Sequence, residues 1–320
     1  MFIFDAHIDT LGILAERGCE DLAALTDSHV NLEKMEKAGI NAQFFAVYVP
    51  SRYRFGLALH KAMEMIDIFW QNVERYPEKL QPLLNREDCR ILETNRQPIR
   101  CLLSIEGGEA LEGSLSNLRN FFKLGVRALT LTWNHRNALA DGVGEGKFAS
   151  GLSEFGREVV DEMNRLGMIV DVSHLAEPGF WDVVEVSSQP IIASHSNAYR
   201  LCGHRRNLTD EQIKAIADSG GVIGVNFHPG FLADPPRTAS IDHVVEQILY
   251  LLKLGGSDTP ALGSDFDGIS STPAGLENVE KTPNLITKLE KQGVSETLIE
   301  KVMGKNLLRV VSQVLPEKSS

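Results

Sequence analysis

The chain has 320 residues, of which 43% are hydrophobic and 23% charged, with a formal net charge of −11. That length can bury a large core and suits one α/β barrel, and the composition is ordinary for a globular protein. The acidic balance, with no Lys/Arg block, argues against nucleic acid or an anionic membrane as partner.

The opening segment MFIFDAHIDT has no basic stretch and no long apolar run, so no signal peptide is expected. No apolar run reaches the length of a membrane span, and SQVLPEKSS at the other end carries no anchor tail. The expectation is a soluble, cytoplasmic protein. The four cysteines, Cys19, Cys89, Cys101 and Cys202, include no CxxC pair and read as reduced, buried thiols.

Along the chain, apolar runs rich in β-branched or aromatic residues predict strands at 2–6, 41–49, 100–105, 128–132, 168–172, 190–194, 222–226 and 261–263. Amphipathic stretches between them predict helices at 32–38, 57–75, 115–124, 153–166, 209–218 and 241–254, with a helical C-terminus at 295–314. Asn31, Ser153 and the Thr209/Gln212 capping box mark helix starts, and Gly39, Gly125, Gly167 and Gly255 mark ends. Eight strands alternating with helices imply parallel pairing and right-handed crossovers. The predicted fold is a TIM-type (β/α)8 barrel, one domain over 1–320 with a C-terminal helical segment.

Five strand runs lead directly into polar groups at their C-terminal ends. These are His7 and Asp9, Glu106, His174, His195, and Asp265 with Asp267. In a barrel those ends meet on the catalytic face. Three histidines and several carboxylates gathered there need a cationic centre. Imidazole and carboxylate without thiolate suit zinc, with iron, cobalt or manganese as alternatives. On an extended strand His7 and Asp9 point to one side and can grip one ion. Glu106 has two oxygens with which to bridge to a second ion, completed by His174 and His195. Each residue alone has a plainer explanation, as a core histidine or a solvated turn carboxylate. That account needs five coincidences at one end of the barrel, whereas the metal account needs one.

The stretches DAHID, SIEGGEAL, LTLTWN, IVDVSH, ASHSNAYRLCGHRRN, GGVIGVNF and GSDFDG, together spanning Asp5 to about Gly275, resemble the renal (membrane) dipeptidase family of zinc metallopeptidases, within the amidohydrolases. The resemblance implies two zinc ions, His7/Asp9 on one, His174/His195 on the other and Glu106 bridging, with other divalent metals as alternatives. It implies Asp265 as the proton carrier and Arg206 as the contact for the substrate carboxylate. The implied reaction is hydrolysis of a dipeptide, including one with a D-residue at the carboxyl side, by metal-activated hydroxide. Where the mammalian enzymes have a histidine after LTLT, this chain has Trp133, which leaves His135, Asn134 or the metal alone to act on the carbonyl. His228 stands where relatives have an aromatic residue, either lining the pocket or lying in a loop.

The alternatives are another reaction on the same metals, such as N-acyl-amino-acid deacylation or lactone hydrolysis, and a non-catalytic metal-binding protein. No nucleotide-binding glycine motif follows any strand. Family members include homodimers, and the stripe Ala62, Met65, Ile66, Phe69 reads either as a partner face or as a core-facing helix side.

Overall fold

A computed structural model describes residues 1–318. Its strands are β1 (Phe4–Ile8), β2 (Ala42–Tyr48), β3 (Leu80–Pro82), β4 (Ile99–Glu106), β5 (Val126–Thr130), β6 (Ile169–Asp171), β7 (Ile191–Ala193), β8 (Val222–Val225) and β9 (Pro260–Leu262). All pairs are parallel. The order β2-β1-β9-β8-β7-β6-β5-β4 closes through β2–β4, which gives the expected eight-stranded barrel. β3 was not anticipated: this three-residue strand pairs with the N-terminal end of β4, just below the point where β5 takes over.

Period-2 alternation divides the apolar residues between two cores. Phe4, Ala6, Phe44, Leu102, Ile169, Ile192 and Val222 fill the barrel interior. Leu307, Leu308, Val311 and Val314 of the C-terminal helix close its lower end. The other parity, including Phe45, Leu103, Ile105 and Val170, packs outward against the helices. The stripe Ala62, Met65, Ile66 and Phe69 belongs to this outer core and is buried, so it is a core-facing helix side.

The predicted caps are present. Asn31 accepts from the Lys34 amide, Ser153 from Gly156, and Thr209 and Gln212 form a reciprocal box. Gly39 and Gly167 close their helices in the left-handed region, whereas Gly125 lies one residue past its cap and Gly255 is still helical. The C-terminal segment is divided into Glu296–Glu300, a wide turn at Lys301–Lys305 and Asn306–Val314, where Gly304 lies against Phe2 and Phe4. Helices at Thr10–Arg17, Arg86–Thr94, Glu177–Val186 and Asn284–Lys291 complete the outer layer. Among the described residues no helix is long and apolar enough to cross a membrane, and all four cysteines are free.

Candidate metal centre and active site

The strand-end residues meet at the barrel mouth. His7 Nε2 lies 3.2 Å from Asp9 Oδ2, 3.7 Å from Glu106 Oε2 and 4.0 Å from Asp265 Oδ1. The other Glu106 oxygen, Oε1, lies 2.9 Å from His174 Nε2 and 3.3 Å from His195 Nε2. One carboxylate thus faces both halves of the cluster. His195 belongs to both, because it also groups with His7 and Asp265.

His7 and Asp9 meet for a different reason from the one their spacing suggested. The register of β1 shifts between Asp5 and Ile8, and Asp9 has left the strand with φ −103° and ψ 19°. Asp9 occupies the N-cap of the helix Thr10–Arg17, but its side chain makes no capping bond. Aspartate is among the best caps, yet here it turns into the cluster and leaves Oδ1 buried without a partner. His174, Asp265 and Asp267 all adopt left-handed backbone, at φ 66°, 62° and 68°. Such conformations are uncommon outside glycine and gather at functional sites. Gly268 completes the turn, where a Cβ would lie 2.1 Å from Asp9 Oδ2 and 2.5 Å from Asp265 Oδ1.

Hydrogen bonding fixes the imidazole tautomers. Ser194 Oγ donates to Asp171 Oδ2 at 2.5 Å, so at 2.8 Å it must accept from His195 Nδ1. His174 Nδ1 donates to Asn134 Oδ1 at 2.8 Å. Both Nε2 atoms are therefore bare lone pairs, yet they face each other at 2.8 Å beside a carboxylate oxygen. Three acceptors this close repel unless a cation lies among them, so the donor set fits a divalent metal.

Electrostatics agree. Burial, with the positive charges of Arg206 and His7, holds His174 well below the ordinary imidazole range, and His195 is depressed by burial, His7 and His174. Burial raises Glu106 well above a normal carboxyl. Burial likewise pushes Asp265 up to about 7, with His7 opposing and Asp9 adding. Burial disfavours charge on His7, but Asp9 and Glu106 outweigh it and hold the ring up to about 10. Without a metal, this histidine is the cation that the carboxylates find.

The other candidates separate. Asp265 Oδ2 accepts from Asn226 Nδ2 at 2.9 Å and stays at the mouth. Asp267 is a latch, accepting from Thr10 Oγ1 at 2.7 Å and from the His29 amide at 2.7 Å. Arg206 is only 5% exposed, donates to the His195 carbonyl at 3.0 Å, and leaves Nε without a partner. Among the described residues no carboxylate pairs with it, and burial lowers its pKa to about 10. Arg206 lines a crevice that shares His174 with the main cleft. Asn134 and His228 line the cleft, and His228 stacks on Phe231 at 4.2 Å. His135 is not among the cleft residues and packs against Trp133 at 5.6 Å. Asp171, Ser194 and Asn226 were not singled out in the sequence. The only signal was that each stands at a strand end next to, or within a few residues of, a candidate.

A family model described as membrane dipeptidase (peptidase family M19) matches residues 1–319. An uncharacterised dipeptidase of Schizosaccharomyces pombe is 36% identical over 297 residues, covering 88% of this chain and 71% of that one. Among solved structures, a metallopeptidase from Rhodobacter sphaeroides, liganded with a phosphinate mimic of the dipeptide L-Ala-D-Ala, superposes with a TM-score of 0.90 at 28% identity. A metallopeptidase of family M19 named dipeptidase AC gives 0.92 at 30%. Each alignment covers 98% of this chain and 99% of the other.

Proposed function

The chain belongs to the membrane dipeptidase family and is a metallo-dipeptidase, and on that premise we propose that it hydrolyses dipeptides with two zinc ions held by His7, Asp9, Glu106, His174 and His195. The observation that carries this reading is the convergence of two bare imidazole nitrogens, His174 Nε2 and His195 Nε2, on one carboxyl oxygen, Glu106 Oε1. The orphaned Asp9 Oδ1 adds a further acceptor, unsatisfied, on the other side.

When bound, the metal pair supplies Lewis acidity that polarises the scissile carbonyl and makes water a nucleophile near neutral pH. Asp265, held at the mouth beside the cluster, takes a proton from the attacking water as the water oxygen bonds to the carbonyl carbon. It returns that proton to the amine as the C–N bond breaks. Asn226 holds the second Asp265 oxygen and so fixes the direction of transfer. Arg206, whose guanidinium has no carboxylate partner among the described residues, offers it to the terminal carboxylate, which favours dipeptides over longer chains. The phosphinate bound to the Rhodobacter sphaeroides metallopeptidase mimics a dipeptide with a D-residue at the carboxyl side, and this supports including such substrates. A cytoplasmic location belongs to the same proposal, supported by four free cysteines.

The test combines metal analysis with a substrate panel on one preparation. L,L- and L,D-dipeptides should be turned over far faster than N-acyl amino acids or lactones, with about two zinc ions per chain. The Asp265→Asn protein should keep its metal and lose turnover by about 100-fold or more. Full activity in that variant would remove Asp265 from the mechanism.

A further inference from the structure

The main cleft has a volume of about 380 Å3, within the range of pockets that hold drug-sized ligands. Barrel order places its two ends. Arg206, in the crevice that meets the cleft at His174, and His228 follow β7 and β8; Tyr48 ends β2, on the side of the barrel opposite β7, and Trp133, which follows β5 two strands from β7, packs onto Tyr48. With the substrate carboxylate on Arg206 and the scissile bond over the cluster, the N-terminal residue lies toward Tyr48 and Trp133. This orientation rests on the dipeptidase reading above.

That end of the cleft is aromatic and electrically closed. Trp133 packs on Tyr48 at 5.2 Å, and Tyr53, Met65 and Ile13 continue the surface. The charged groups at the rim are already paired, Arg52 with Glu16 and Lys61 with Glu64, each at 2.7 Å. Both cations also lie over the Tyr53 ring, at 4.8 and 5.2 Å. A charged substrate side chain would have to displace one of these pairs, whereas an apolar one would not. The wall is also fixed in place. Asn134 is bonded to His174, and Arg136 holds Asp141 through two bonds of 2.5 and 2.8 Å. A Cβ on Gly142 would lie 2.1 Å from the Trp133 carbonyl, so the loop closes on itself without slack. An indole offers one uncharged N–H donor and a large apolar face.

We propose that Trp133, backed by Tyr48, is the specificity-determining wall for the side chain of the substrate's N-terminal residue and selects a large apolar group there. The test uses the metal-loaded full-length protein and X-Ala dipeptides with Phe, Leu, Ala, Asp or Lys at X, each with L- or D-Ala at the carboxyl side. The expected wild-type result is a kcat/KM for Phe and Leu about tenfold or more above that for Ala, and above Asp and Lys. In Trp133→Ala the Phe-to-Ala ratio should collapse toward one through KM, whereas Trp133→Phe should retain most of it, with metal content and melting temperature measured for both. A ratio unchanged in Trp133→Ala, or a wild-type preference for Asp or Lys, would overturn the proposal. So would a uniform fall in kcat accompanied by metal loss, which would make Trp133 a support for His174. Turnover of all dipeptides without preference defeats this wall alone, while no turnover of any dipeptide defeats both it and the dipeptidase reading.

Discussion

At His195 the direction of the imidazole Nδ1 hydrogen bond can be followed back to a buried carboxylate. Asp171 accepts from Thr130 Oγ1 at 2.6 Å, from Ser194 Oγ at 2.5 Å, and from the amides of Ser173 and Ser194 at 2.9 Å each. Four donors satisfy this carboxylate, and the serine hydroxyl passes its orientation to the ring. Ser194→Ala removes the acceptor for His195 Nδ1–H and frees the other tautomer. Loss of such a partner weakens metal binding by about 10–100-fold. Chelator competition on the purified variant should show this, and an unchanged affinity would separate the relay from the metal site. The histidine was legible in the sequence but the serine was not, because a hydroxyl next to a candidate ligand has no distinctive spacing. Arg205 and Arg206 were equally opaque, being identical by type. Only burial distinguishes them: Arg205 is exposed and Arg206 is buried beside the site.

Among the elements, the strands were legible and the details of their ends were not. All eight barrel strands lie where apolar runs predicted them, every end within two residues. Leu80–Pro82 was missed because three residues with a terminal proline carry no periodic signal. The kink of β1 was also hidden, since a register shift arises from pairing with β2 and β9 rather than from local preference. Glycines inside β8 and after β9 show how tightly the barrel closes. A Cβ on Gly224 would lie 2.0 Å from the Ser194 carbonyl, and one on Gly263 would lie 1.9 Å from the same oxygen. The obstacle is backbone, which cannot rotate away. Gly224→Ala should cost about 3 kcal/mol or more of stability, read as a shift of the denaturant midpoint. A wild-type midpoint would mean that the strands can separate to admit a methyl group.

For the whole molecule, closure gathers charge that none of the separate elements would hold together. Asp9, Glu106 and Asp265 converge on one mouth with three imidazoles and a buried guanidinium. A metal that binds only the folded barrel stabilises it by mass action, by about 4 kcal/mol at 1,000 times its dissociation constant. Removing metal with a chelator should therefore lower the melting temperature as well as abolish turnover, and titrating zinc back should restore both. A melting curve indifferent to metal would contradict the site.

The sequence by itself determined the alternation, the barrel and the set of residues at the strand ends. These follow from period-2 and period-3.6 patterns, which are local. The tertiary structure decided what depends on distances across the mouth. It joined Tyr48 to Glu106 through β2–β4 pairing, set the tautomers of His174 and His195, hid Arg206, and turned Trp133 toward Tyr48. Those outcomes depend on the closure of the barrel, which brings distant segments within hydrogen-bond range and leaves no trace in the spacing of residues along the chain.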